Sequence, residues 1–209
     1  MSETVKKGLR LIAIIVVSAA IGILLGQLVT NYELKFMMSR EYLGEYCGIE
    51  VYRTGDVNEE NLERHFEMLA KAPEQLAECC DRLYFTGSEL ELPAYDGGLG
   101  DALGLTQNRT VYISTESFSS YVVFHELFHA YDNAHGELSA NSPEFESAYY
   151  ANKRVIPVFA SHSSAYASEF FAQAGAMYLL IPQELSVAAP ETYEYFNTVL
   201  GFGEIYRDF

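Results

Sequence analysis

The longest uninterrupted run of apolar positions comes first in the chain. Residues 11–32 read LIAIIVVSAAIGILLGQLVTNY, without a charged side chain. A helix of about 20 apolar residues crosses the hydrocarbon of a bilayer and satisfies its own backbone groups there. The run therefore predicts a membrane-spanning signal-anchor. Lys6, Lys7 and Arg10 stand before it, which places the N-terminus in the cytoplasm and the remainder outside. A cleaved signal peptide is the alternative, with Ser18-Ala19-Ala20 as a small-residue cleavage site. The apolar run continues past that point through Ile21, Ile23, Leu24 and Leu25, which favours an anchor. A buried core helix is a third reading, but the run has no polar face. The organisation expected is a cytoplasmic tail at 1–10, a transmembrane helix at 11–32 and one domain at 41–209.

Beyond the run the pattern changes to short alternating segments. A polar connector is expected from Glu33 to Glu45, then a strand at Gly48–Tyr52. Leu62, Phe66 and Leu69 share one helical face within Asn58–Ala70. Pro73 suits the first turn of a helix reaching about Cys80, and Leu83-Tyr84-Phe85 reads as a strand. Residues 86–109, with Asp96-Gly97-Gly98, predict a loop or irregular edge. Thr110–Ser114 predicts a strand. Ser119 or Ser120 can cap a helix that starts near Tyr121 and stops near Gly136. A polar stretch follows. Further helices are expected at Pro143–Lys153, at Ser168–Leu180 with Pro182 ending it, and after Pro190. No linker divides residues 41–209, so the fold class is α+β, mainly helical with a small sheet.

Composition narrows the partners. The chain is 49% hydrophobic and 14% aromatic, enough for a real core, with 29 acidic against 13 basic residues and a formal charge of −16. That balance repels phosphate backbones and argues against nucleic acid. The three cysteines, Cys47, Cys79 and Cys80, form no CxxC pair, so a cysteine zinc site is not expected. Outside the cell Cys47 could pair with Cys79 or Cys80; the alternative is three ordinary thiols.

The candidate chemistry lies at His125-Glu126-Leu127-Phe128-His129. Histidines four residues apart share one face of a helix, one turn apart. Their nitrogens can then meet one zinc ion at about 2.0–2.1 Å. Glu126 beside the first histidine can take a proton from an activated water and pass it to a leaving amine. An ordinary amphipathic helix could carry the same letters. Here, however, Val122, Val123, Phe124, Leu127 and Phe128 flank them, and unpaired polar groups on a buried helix cost several kcal/mol. A third protein ligand is needed, and the spacing leaves two candidates. His135 gives the HExxHxxxxxH spacing of metzincins. Asp132 stands where that group has its bending glycine, and on a straight helix His135 lies about 120° round from His129. Glu169 opens Glu169-Phe170-Phe171-Ala172-Gln173, and a glutamate in a first turn is also favoured by the helix dipole.

The segment HELFHAYDNAHG, residues 125–136, resembles the zinc helix of the anthrax lethal factor catalytic domain and its relatives, which include secreted Pro-Pro endopeptidases. Glu169-Phe170-Phe171-Ala172 resembles that family's second motif, and Ala189–Tyr193 with Phe196 resembles its C-terminal segment. Ser139, Ser142, Glu144-Phe145 and Tyr149 are also similar. The resemblance covers about residues 110–200, more loosely from 49 onward. It implies a gluzincin-like zinc peptidase with His125, His129 and Glu169 as ligands, Glu126 as base, and Asp132 orienting an imidazole. Two positions depart from the family. Gln173 replaces a supporting glutamate, and the tyrosine expected ahead of the third ligand to stabilise the oxyanion is matched only by Tyr166, nearer than the family spacing; His162 lies closer to it. The reading is a membrane-anchored, outward-facing zinc endopeptidase acting on protein or peptide. The alternatives are a non-catalytic zinc- or peptide-binding module on the same fold and a metzincin-like enzyme using His135.

Overall fold

The structure is a computed structural model and describes residues 40–88, 90–93, 99–155 and 166–203. The tail at 1–10, the anchor at 11–32 and His162 lie outside these residues. Among the described residues no helix is long and apolar enough to cross a membrane.

The domain is mixed α+β. Its strands are β1 (Arg40–Tyr46), β2 (Ile49–Thr54), β3 (Arg82–Thr86), β4 (Leu90–Pro93), β5 (Leu99–Ala102), β6 (Gly104–Gln107) and β7 (Thr110–Ser114). Its helices are α1 (Glu59–Leu69), α2 (Glu74–Ala77), α3 (Val122–Ala134), α4 (Leu138–Asn141), α5 (Pro143–Asn152), α6 (Ala167–Leu180), α7 (Pro182–Ala188) and α8 (Pro190–Glu194). The last continues into one widened turn over Tyr195–Val199. The connector expected up to Glu45 is in fact strand from Arg40 onward. The irregular region expected at 86–109 contains the antiparallel pair β4–β5 and the strand β6. Pro182, expected as a terminator, also opens α7, where its missing N–H costs nothing.

The main sheet runs β1-β2-β3-β7-β6. Strands β2, β3 and β7 are parallel, and β6 closes the edge antiparallel to β7. Because side chains alternate, Ile49, Val51, Leu83, Phe85, Val111 and Ile113 fall on one face, all fully buried. On the opposite face register aligns Tyr52, Tyr84 and Tyr112, whose rings stack at 5.0 and 5.3 Å. Helix α3 lies against β6 and β7, and its most extensive packing is with α6. Helix α6 is buried at every position from Phe170 to Leu179.

One core residue carries a pH dependence. His65 of α1 is fully buried between Phe85 and Phe118, and among the described residues neither ring nitrogen has a hydrogen-bond partner within 3.5 Å of good geometry. Burial pushes its pKa down to about 4. The folded value lies below the unfolded value of about 6.5, so the unfolded chain binds the proton first as pH falls. Stability is full above pH about 6.5 and is lost on acidification towards pH 4, by on the order of 2 kcal/mol. Denaturant unfolding of His65→Leu should show a flatter slope over that window. An unchanged slope would assign the acid sensitivity to other groups.

Candidate metal centre

Helix α3 takes Tyr121 as its N-cap, without a side-chain cap, in place of the Ser119 or Ser120 expected there; Ser119 Oγ accepts from the Tyr121 N–H at 3.3 Å in the turn before it. It ends at Gly136, with φ +79°, where the Glu137 N–H returns to Asp132 O at 2.8 Å and the Gly136 N–H to Asn133 O at 3.4 Å. This is a Schellman closure, and the positive φ explains the glycine. Between the caps Val123, Phe124, Leu127, Phe128 and Ala130 are buried, while His125 and His129 occupy a partly open face.

The second element of the candidate site is α6. Tyr166 precedes it in extended conformation and accepts from the Phe170 N–H at 3.1 Å. Glu169 sits in the first turn, where the helix dipole favours its charge. The helices approach closely because position 175 has no side chain. A Cβ there would lie 2.5 Å from Cγ and Cδ2 of the Phe128 ring.

Three side chains converge. His125 Nε2 and His129 Nε2 are 3.1 Å apart; His125 Nε2 is 3.3 Å from Glu169 Oε2, and His129 Nε2 is 3.5 Å from Glu169 Oε1. Ligands about 2.0–2.1 Å from one tetrahedral ion are separated from one another by roughly 3.3 Å. The separation of the two imidazole nitrogens is close to one edge of such a tetrahedron, and Glu169 turns one oxygen towards each imidazole. Two imidazoles and a carboxylate also suit zinc chemically, and these three residues form a group that could hold a metal ion. The electrostatics agree. Hydrogen bonding from His125 and then His129 holds the Glu169 carboxyl far below its ordinary range. Burial opposes charge on His129, but its hydrogen bond to Glu169 and the carboxylates of Glu126, Glu169 and Asp132 outweigh it and raise its pKa.

His135 is placed elsewhere. It caps α3, its Nδ1 lies 2.9 Å from Tyr131 O, and its ring stacks on Tyr131 at 4.0 Å between centroids. It is not in the convergent group. Asp132, expected to orient an imidazole, instead accepts from the Ser139 N–H at 2.7 Å and the Ser139 hydroxyl at 2.6 Å. Its work is to tie the end of α3 to α4. Gln173, one turn after Glu169, is buried with Nε2 unpartnered. Cys47 is exposed, Cys79 and Cys80 are buried, and all three are free thiols.

Glu126 is 5% exposed. Its Oε2 lies 2.7 Å from the Thr106 hydroxyl, which also lies 2.9 Å from the Glu126 backbone carbonyl. Strand β6 was not expected from the sequence, and Thr106 was missed with it. A Gly-x-Thr segment inward-facing beside an apolar strand is the signal that could have found it.

Residues 104–199 match the family model described as anthrax toxin lethal factor, N- and C-terminal domain. No curated protein matches the chain. Among solved structures, the Pro-Pro endopeptidase PPEP-2 from Paenibacillus alvei is similar, with a TM-score of 0.57 and 19% identity over 73% of this chain and 97% of that one. The matched segment contains the helices that carry His125, His129 and Glu169, and strand β6; over it the chain is similar to the anthrax toxin lethal factor family, and its fold is similar to that of a Pro-Pro endopeptidase.

Proposed function

We propose that the chain is a zinc-dependent endopeptidase, held at the outer face of a membrane by residues 11–32. The observation that carries the activity is the convergence of His125, His129 and Glu169, one ligand atom from each within 4.8 Å of the others, with Glu126 next to the first histidine. When bound, zinc supplies Lewis-acid activation of a water molecule and of the scissile carbonyl. Glu126 accepts the proton released by the attacking water and delivers it to the leaving amine. Tyr166, which is 43% exposed at the head of α6, donates its hydroxyl to the developing oxyanion. Edge strand β6 offers an extended peptide a partner for strand addition beside α3. The relation to two peptidases supports a peptide substrate, and the intact glutamate favours catalysis over a binding module that has kept the fold.

The full chain, expressed and separated into membrane and soluble fractions, tests both halves of this reading against a peptide library. Cleavage should appear in the membrane fraction, disappear with a zinc chelator and return when zinc is restored. Activity that survives the chelator would sink the zinc mechanism. Activity confined to the soluble fraction would sink the anchor.

A further inference from the structure

We infer that Gly104 and Thr106 of strand β6 form a seat that fixes the Glu126 carboxylate for proton transfer, which makes Thr106 a positioning residue. The inference rests on the peptidase reading above and deepens it by assigning what holds the base.

Strand β6 pairs Gly104 with Ile113 and Thr106 with Val111. Ile113 and Val111 are fully buried on the sheet face that α3 covers. Gly104 and Thr106, two residues apart, therefore face the same way. Strands β2, β3 and β7 offer apolar side chains on this face; β6 offers a hydroxyl and a bare α-carbon. Both fit Glu126. The Thr106 hydroxyl donates to Oε2 at 2.7 Å. A Cβ at position 104 would fall on the same carboxylate, 2.7 Å from its Cδ. The carboxylate thus fills space that any other residue at 104 would occupy.

The geometry separates this seat from ordinary satisfaction of a buried group. The hydroxyl has one proton, and its second acceptor is the carbonyl of Glu126 itself, at 2.9 Å. The proton goes to Oε2, the nearer acceptor, while the hydroxyl oxygen stays beside the backbone carbonyl of the same residue, so the bond limits how the Glu126 side chain turns. A base that must meet water on one side and an amine on the other gains from a fixed orientation, because misplacement by about 1 Å can cost on the order of 100-fold in rate.

The test compares the full chain with Thr106→Val, Thr106→Ser and Thr106→Ala. Valine keeps the shape and removes the hydroxyl; serine restores it. Thr106→Val and Thr106→Ala should lose about 10- to 100-fold in kcat with KM and zinc content unchanged, and Thr106→Ser should recover most of the loss. Wild-type kcat in both hydroxyl-free variants would overturn the inference. A fall in KM terms alone, a loss of zinc, or a serine variant as slow as valine would do the same. Crystal structures give a readout that needs no activity. Glu126 should stay on β6 in the wild-type and serine proteins and leave it in the valine or alanine protein; an unmoved Glu126 overturns the seat. A wild-type protein that cleaves nothing would instead count against the peptidase reading, and the crystal structures would still decide the seat.

Discussion

Glu126→Gln should lower kcat/KM for peptide cleavage by about 10³-fold or more, within the range that loss of a general base and acid produces, while zinc content stays at the wild-type level. Glutamine keeps the volume that Gly104 leaves open and still offers an oxygen to the Thr106 hydroxyl. The substitution therefore removes proton transfer with little disturbance to the helix. Glu126 lies outside the three convergent donors, so zinc has no reason to leave. Metal analysis beside steady-state kinetics checks both halves. Activity within tenfold of wild type would show that another group moves the proton.

The second large effect concerns the metal. Glu169→Ala removes one of three protein donors and leaves two imidazole nitrogens 3.1 Å apart with no carboxylate between α3 and α6. Disturbing only the outer partners of a metal site costs about 10- to 100-fold in affinity, and removing a ligand should cost more than 100-fold. His135→Ala should leave zinc affinity within a few-fold, because that ring is engaged with Tyr131 at the helix end. Competition against a fluorescent chelator measures both variants. Zinc held normally by Glu169→Ala and lost by His135→Ala would reverse the ligand assignment.

Much of the site was legible because its signals are local. The four-residue spacing of His125 and His129, the apolar flanks of α3 and the glycine at 136 each act within a turn or two of helix. Two caps that were not expected from the sequence are local as well: Asn58 closes α1 through the Asn61 N–H, and Ser142 closes α5 through the Phe145 N–H. The choice between His135 and Glu169 could not be made from spacing, since it depends on how α6 packs across α3 some 40 residues later. Family resemblance favoured Glu169, and the donor distances agree. Strand β6 was hidden for a different reason. It is four residues long, contains a glycine, and sits at a sheet edge, so it lacks the branched, alternating pattern that marks a strand. Asp132 misled because its position on the histidine face is real, but Ser139 supplies its two donors from the next helix. That partner is set by the Schellman turn, not by helical periodicity.

The contact of Gly175 with Phe128 has a consequence for the chain's tolerance to change. Gly175 lies six residues beyond Glu169 on α6, about 9 Å along the axis, and Phe128 adjoins His129 on α3. The ring is also wedged by Phe171, Phe196 and Phe202, so it has nowhere to retreat. The bare position therefore works as a spacer gauge: it sets the gap between two helices whose far ends must bring a carboxylate within 3.3–3.5 Å of two imidazoles. A single methyl group at 175 would press on Phe128, next to His129, and should spread the three candidate ligands apart.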